Sequence, residues 1–206
     1  MAGALQKLAQ NVFVKALRNG AHKLFSKYLF ATNTTIGFSL AAASDLVNQQ
    51  CEKLSGFRVQ WDPVRTRNQS IQGILFGSTY HFWYIFLDRM LPGYTARVVV
   101  RKVFIDQVIM TPIGVVAFLV SLGILEGQHG ADIMLDIKNK GPLLLAGEWT
   151  FGPITQLFNF FLLPTRFRVL YDSIVCLSFD AYYIHIKYRH GKSSTDNAQI
   201  ITNELN

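Results

Sequence analysis

Apolar residues gather into five stretches, at 28–47, 71–91, 98–125, 143–163 and 169–186. Each is close to the roughly 20 residues that a helix needs to cross a bilayer. The pattern predicts an all-α integral membrane protein, a bundle of four to five transmembrane helices. The stretches are not clean, and their polar interruptions carry information. The fourth passes into the run at 148–168, EWTFGPITQLFNFFLLPTRFR, with Gln156 and Asn159 inside it. Pro153 interrupts that run, and Pro164, Arg166 and Arg168 close it. Trp149, Gly152, Gln156, Asn159 and Leu163 recur at steps of three or four, so a helix places them on one stripe. Amides are costly against lipid, so this stripe should face other helices or a water-filled cavity. The fifth stretch is broken by Asp172, Asp180 and His185, which leaves four or five spans open.

Other polar residues repeat the theme. Asp45 and Gln49 lie one helical turn apart near the end of the first stretch. His81 lies midway along the second, with Asp88 one heptad later on the same face. Asp106 and Gln107 lie in the third. An acid at the centre of a membrane helix costs about 2.5–3.5 kcal/mol, so each needs a partner or water. Arg65, Arg67, Arg97 and Arg101 at the helix ends are the candidate partners. Two readings follow: polar glue between helices, or a polar pathway through the bundle. Gly73 and Gly77 form a small-xxx-small pair suited to close helix approach.

The linkers are short and carry helix breakers: Gly56 with Pro63, Pro92-Gly93, Gly127 to Gly130, and Pro164. None is long enough for a second domain. The chain divides into a basic segment at 1–27, a multispanning domain at 28–190 and a polar tail at 191–206, expected to be disordered. Lys7, Lys15, Arg18, Lys23 and Lys27 precede the first acid, Asp45. On a helix Lys7, Asn11, Lys15 and Arg18 share one face, while Leu5, Leu8, Val12, Phe13 and Ala16 share the other. A basic, acid-free amphipathic helix is what mitochondrial import reads; a permanent interfacial helix is the alternative.

Composition agrees with the pattern. Of 206 residues 50% are hydrophobic and 16% charged, well below the roughly 25% charge of a soluble domain. The mean hydropathy of +0.22 suits a membrane protein with polar ends. Sixteen Phe, 8 Tyr and 3 Trp are plentiful, and Tyr and Trp favour the headgroup level. The net charge of +7 is spread between apolar runs instead of forming one stripe, so direct DNA binding is not expected. Cys51 and Cys176 have no metal or redox spacing, and His81 has no second ligand at metal spacing. No phosphate loop, nucleophile elbow or paired His-Glu zinc motif is present. No catalytic, cofactor or metal residues are therefore assigned.

The string DPVRTRNQSIQGILFGSTYHFWYIFLDRMLPG, from Asp62 to Gly93, resembles the Mpv-seventeen and peroxisomal-membrane-protein family. The matching positions there are Asp62, Arg65, Arg67, Gly77, His81, Trp83, Tyr84, Leu87 and Asp88. Asp106-Gln107, Pro112 and Glu126-Gly127 continue the match in the third stretch. Trp149, Pro153, Gln156, Asn159-Phe160, Pro164 and Arg168 continue it in the fourth. The resemblance spans 28–190, and LEGQ, FRVLY and IKYRH point to a Mpv-seventeen-like branch. There are departures: Gly152 stands before Pro153 where relatives place Trp, and Ser78 follows Gly77 where they place Pro. The lost indole either opens space or is replaced by a neighbour such as Phe151 or Trp149, and Gly152→Trp is expected to be tolerated if the pocket remains.

The resemblance implies a multispanning protein of the mitochondrial inner membrane, with the peroxisomal membrane as the alternative. It implies a role in assembly and stability of the mitochondrial ribosome, and hence organelle translation. Partners would be the lipid bilayer, ribosomal subunits or assembly factors, and a second copy of the chain. A weakly selective channel affecting mitochondrial homeostasis and DNA maintenance is the alternative. Closed pairwise burial of Asp45, Gln49, His81, Asp88, Asp106, Gln107, Gln156 and Asn159 would favour a scaffold; convergence on one wet axis would favour a channel. Counting Lys and Arg by alternate loops gives 11 on one side and 9 on the other, which does not fix orientation.

Overall fold

The computed structural model describes residues 15, 18–54, 56 and 60–177. Among these, the structure is helical apart from short connections. Helix α1 is Leu29–Leu54, preceded by a helical piece at 18–24. Helix α2 is Pro63–Met90, and α3 runs through Ala96–Leu125. Helix α4 is Gly130–Leu162, and α5 is described over 165–177. The first four apolar stretches fall on α1 to α4, and the fifth falls on α5 as far as residue 177, its remainder lying outside the described residues. Most of the basic segment 1–27, the residues 178–190 and the tail at 191–206 lie outside the described residues.

Local chemistry sets the ends. Asp62 caps α2, accepting from the Val64 and Arg65 N–H groups at 3.0 and 3.1 Å, and Pro63 fills the first turn where no N–H is needed. Gly127 closes α3 at φ 73°, and the Gln128 N–H returns to the Gly123 carbonyl at 2.8 Å. Inside α3 a π turn occupies Asp106–Met110, directly before Thr111 and Pro112. Proline lacks an N–H and crowds the preceding turn; a widened turn accommodates both.

Sequential helices run antiparallel. Asn33 and Asp45 on α1 meet His81 and Thr66 on α2. Lys102 and Ser121 on α3 meet Asp88 and Gln72 on α2. Gln107 on α3 meets Trp149 on α4, and Asn159 on α4 meets Asp172 on α5. One end of the bundle therefore gathers the ends of α2 and α4 with the starts of α3 and α5, around Pro164. The other gathers the end of α1 and the start of α2, around Asp62. Where α1 crosses α2, Gly37 and Gly73 touch through their backbones: a Cβ on either would lie 2.2 Å from the other's carbonyl oxygen. Gly77 sits against the Asn33 carbonyl in the same way, at 2.8 Å. Close approach is thus the use of the small-residue pair.

The bundle is inside out relative to a soluble domain. Among the described residues, 16 buried residues are polar or charged and 8 are hydrophobic. Phe82, Phe86, Phe104, Ile113, Phe158 and Phe161 are exposed. An exterior of this kind suits lipid, not water. By length and composition, Ala96–Leu125 is the one described helix apolar enough to cross a membrane. The four other stretches were each expected near spanning length. Buried polar residues such as Asn48, Asn68, Gln72, Gln156 and Asn159 lower the hydropathy of α1, α2 and α4 without touching the exterior.

Candidate functional site: a polar interior in four clusters

The first cluster joins α2, α4 and α5 just inside the Pro164 end. Gln156 and Asn159 from the amide stripe donate to Asp172 at 3.1 Å each, and to the Tyr84 hydroxyl at 3.2 and 3.3 Å. Asn159 also donates to Gln156 at 3.1 Å, and Tyr84 donates its hydroxyl to Asp172. Tyr84 and Asn159 are fully buried, and Tyr84 packs edge-on against Phe160. The stripe thus faces other helices. Asp172, read in the sequence as an interruption of the fifth stretch, is the acceptor at its centre.

The second cluster surrounds the π turn of α3. Trp83 donates to Asp106 at 2.7 Å, and Trp149 donates to the backbone carbonyl of Gln107 at 3.0 Å. The Gln107 side chain lies over Gly152: a Cβ there would be 3.0 Å from both its amide nitrogen and its amide oxygen. The space that an indole would take is therefore occupied by an amide from α3. Trp149 is half exposed. Elsewhere on α2, Asn33 and His81 share a hydrogen bond at 3.0 Å, with Phe30 and Phe82 edge-on to the imidazole.

The third and fourth clusters are ionic and sit at opposite ends. Near Pro164, Asp88 accepts from Lys102 at 2.6 Å and from Arg168 at 2.8 Å, and Thr165 adds its hydroxyl. The two cations are 1% and 0% exposed. Arg168 also donates to the Leu163 carbonyl at 3.2 Å and lies 4.8 Å over the Phe160 ring. Near Asp62, Arg65 pairs with Asp45 at 2.8 Å and with Glu52 at 2.9 Å. Gln49 and Thr66 donate to the other Asp45 oxygen at 2.7 and 2.6 Å, and Gln49 holds the Asp62 backbone from both sides.

A cavity of about 320 Å³ opens between the helices. Its walls include Asp45, Arg65, Gln72, Tyr80, Glu148 and Asp172, together with the glycines of the α1–α2 crossing. Of the eight polar positions singled out by sequence, Asp45 alone is on this wall. Gln49, His81, Asp88, Asp106, Gln107, Gln156 and Asn159 are enclosed in the helix contacts described above or sit beside them. Gln72 ties α2 to α3, donating to the Phe118 carbonyl at 3.1 Å and accepting from Ser121 at 2.9 Å. Gln72 directly precedes Gly73 in the chain, and nothing in the sequence showed which helix it would meet. Arg67 bonds the neighbouring Asn68 amide, Glu126 accepts from Gln128, and Pro153 lies inside α4. No group of three or more metal-ligating side chains occurs among the described residues.

Comparison with known proteins gives a consistent set of relatives. Residues 123–183 match the model of the Mpv17 / PMP22 family. PXMP2/4 family protein 2 of Dictyostelium discoideum is 27% identical over 81% of this chain and 86% of its own length. The mitochondrial inner membrane protein Mpv17 of Mus musculus is 30% identical over 70% of this chain and 82% of its own. Protein SYM1 of Yarrowia lipolytica is 31% identical over 72% of this chain and 69% of its own. No solved structure matches.

Proposed function

The chain belongs to the Mpv17 / PMP22 family and is a protein of the mitochondrial inner membrane, and from that premise we propose that it is a multispanning scaffold supporting mitochondrial ribosome assembly and stability. The bundle crosses the bilayer four or five times, with α3 as its most apolar span. One observation carries the scaffold reading: the amides and acids inside the helices close on one another in separate clusters instead of converging on one axis. Closed clusters fix helix register and leave the ends and connections to meet a partner. The resemblance of LEGQ, FRVLY and IKYRH to a Mpv-seventeen-like branch supplies the ribosomal part of the reading. Depletion of the protein followed by sedimentation of mitochondrial ribosomes tests it. The expected result is loss of monosomes with accumulation of free or incomplete subunits. Unchanged subunit and monosome profiles overturn it.

The cavity supports a second reading, a weakly selective channel. Such a path would run past Asp45, Arg65, Glu148 and Asp172, not past Asp106. Purified protein in planar bilayers should then conduct, and Glu148→Gln should change ion selectivity while Asp106→Asn does not. A silent bilayer removes this reading.

A further inference from the structure

We infer that the Pro164 end of the bundle is a binding surface for the phosphate headgroups of anionic phospholipids. The two ends differ in their acids, not in their bases. At the Pro164 end Lys23, Lys27, Arg89, Arg97, Arg101 and Arg166 are all exposed. Among the described residues the one acid in a terminal helix turn at this end is Asp88, engaged by both Lys102 and Arg168, while Asp106 and Asp172 lie deeper, bonded to Trp83 and Tyr84. The buried group around Asp88 keeps one positive charge in excess, directly beneath the exposed bases. At the Asp62 end, by contrast, Glu52, Glu126, Asp132 and Asp136 mingle with the bases, and Lys140 is paired with Asp136 at 2.8 Å. A count of Lys and Arg by loop cannot see this difference, because it omits the acids.

The bases lie at headgroup depth. Helix α2 has 28 residues, a length of about 42 Å at 1.5 Å per residue, against about 30 Å of hydrocarbon. Its last residues therefore emerge into the interface. Exposed rings stand just inside the bases: Phe82 and Phe86 before Arg89, Phe104 after Arg101, and Phe161 before Arg166. Tyr94 is exposed in the connection between α2 and α3. Aromatic side chains bordered by bases are the arrangement that suits a lipid interface. The helical piece at 18–24 belongs to the same rim. Thr32 donates to the Leu24 carbonyl at 2.9 Å, and Phe25 packs on Phe167 at 4.9 Å. Arg166 lies 5.0 Å over that same Phe167 ring, which brings Lys23 and Lys27 into its neighbourhood. Bases set around the rim, each beside a lipid-facing ring, meet lipid phosphates before any polyanion in the water beyond.

The test uses the full chain, purified in mild detergent and supplied with phosphatidylglycerol or phosphatidylcholine. Phosphatidylglycerol should raise the thermal midpoint saturably, by about 4 °C or more, and phosphatidylcholine should not. About 0.5 M salt should remove most of the rise. Arg89→Gln, Arg97→Gln, Arg101→Gln and Arg166→Gln combined should abolish it. Lys53→Gln with Arg67→Gln, at the other end, should keep it. If the fourfold variant does not fold, the pairs Arg89→Gln with Arg97→Gln and Arg101→Gln with Arg166→Gln should each show a reduced response. An equal response to both lipids, or a full response in the variants, overturns the proposal. So does a rise given by an RNA oligomer and not by phosphatidylglycerol, which would assign the surface to nucleic acid. None of these outcomes depends on the ribosome reading.

Discussion

At the Pro164 end one carboxylate, Asp88, stands between two cations, Lys102 and Arg168; at the Asp62 end one cation, Arg65, stands between two carboxylates, Asp45 and Glu52. The charges are inverted, and so is the burial. Lys102 and Arg168 are 1% and 0% exposed while Asp88 is 21% exposed. Arg65 is 29% exposed while Asp45 is 2% exposed. The shared residue is the more exposed member in both, yet its loss has different consequences. Without Asp88, two buried cations face each other with no counter-charge. Without Arg65, Asp45 still accepts from Gln49 and Thr66, and Glu52 lies near the surface. The first cluster is brittle and the second is buffered by hydrogen bonds.

Asp88→Asn should therefore be the most damaging of the single changes considered, costing about 3–5 kcal/mol. The thermal midpoint in detergent and the yield of monodisperse protein measure it. Adding Lys102→Met should recover part of the loss, because it removes one of the uncompensated charges. A midpoint close to the parent for Asp88→Asn would mean that water reaches these cations, and the contrast with the other end would fail.

Gly37→Ala separates the two ends in another way. Its methyl would collide with the Gly73 carbonyl at 2.2 Å, backbone against side chain with no flexible atom to yield. Helices α1 and α2 must move apart, at about 2–3 kcal/mol. The Asp45–Arg65 pair bridges those two helices and should loosen; Asp88, Lys102 and Arg168 involve no residue of α1 and should hold. Cross-linking of paired cysteines at each end reads this directly. Equal loosening at both ends would show the bundle to respond as one rigid body.

Arg65→Gln should cost less than either, about 1–2 kcal/mol, since the pair is partly screened and Asp45 keeps two donors. Asp45→Asn in the same chain should restore most of it. A loss as large as that of Asp88→Asn would erase the distinction between the ends.

Much of this architecture is legible in the apolar pattern, and its failures have physical causes. The five stretches mark the five helices, the fifth as far as residue 177, because a buried or lipid-facing helix must be apolar along most of its length. The pattern misplaces the start of α4, which begins at Gly130 through the mixed segment at 131–140, because helix formation continues where the apolar run does not. The amides Gln156 and Asn159 are recognisable as inward-facing from spacing alone. Their acceptor Asp172 is not, because spacing within one helix says nothing about which helix faces it. The same gap explains the partners of Asp88. Arg97 and Arg101 were the nearest arginines on α3, but both face outward, and Lys102 and the distant Arg168 point inward. The number of spans is obscured for a related reason: polar residues that serve the interior reduce the apparent hydropathy of helices whose outer faces are apolar.

The smallest effect belongs to the waist, where neither ionic cluster reaches. Gly152→Ala places a methyl 3.0 Å from the Gln107 carboxamide, the far end of a flexible side chain. The amide can give way by a few tenths of an ångström, so the cost should stay under about 1 kcal/mol. Gly152→Trp asks for more, since the indole needs the whole volume that the amide fills. The relatives' tryptophan would thus be tolerated here when Gln107 is shortened as well. The Gln107 amide oxygen is buried without a hydrogen-bond partner among the described residues, so Gln107→Ala removes an unsatisfied acceptor as it clears the space. A double-mutant cycle between Gly152→Trp and Gln107→Ala should therefore show favourable coupling of about 1–2 kcal/mol in thermal stability. Both ionic clusters should remain intact, with the response to Asp88→Asn and Arg65→Gln unchanged in that background. Additive costs would mean that the indole finds room elsewhere on α4, and that Gln107 holds the π turn of α3 for its own sake.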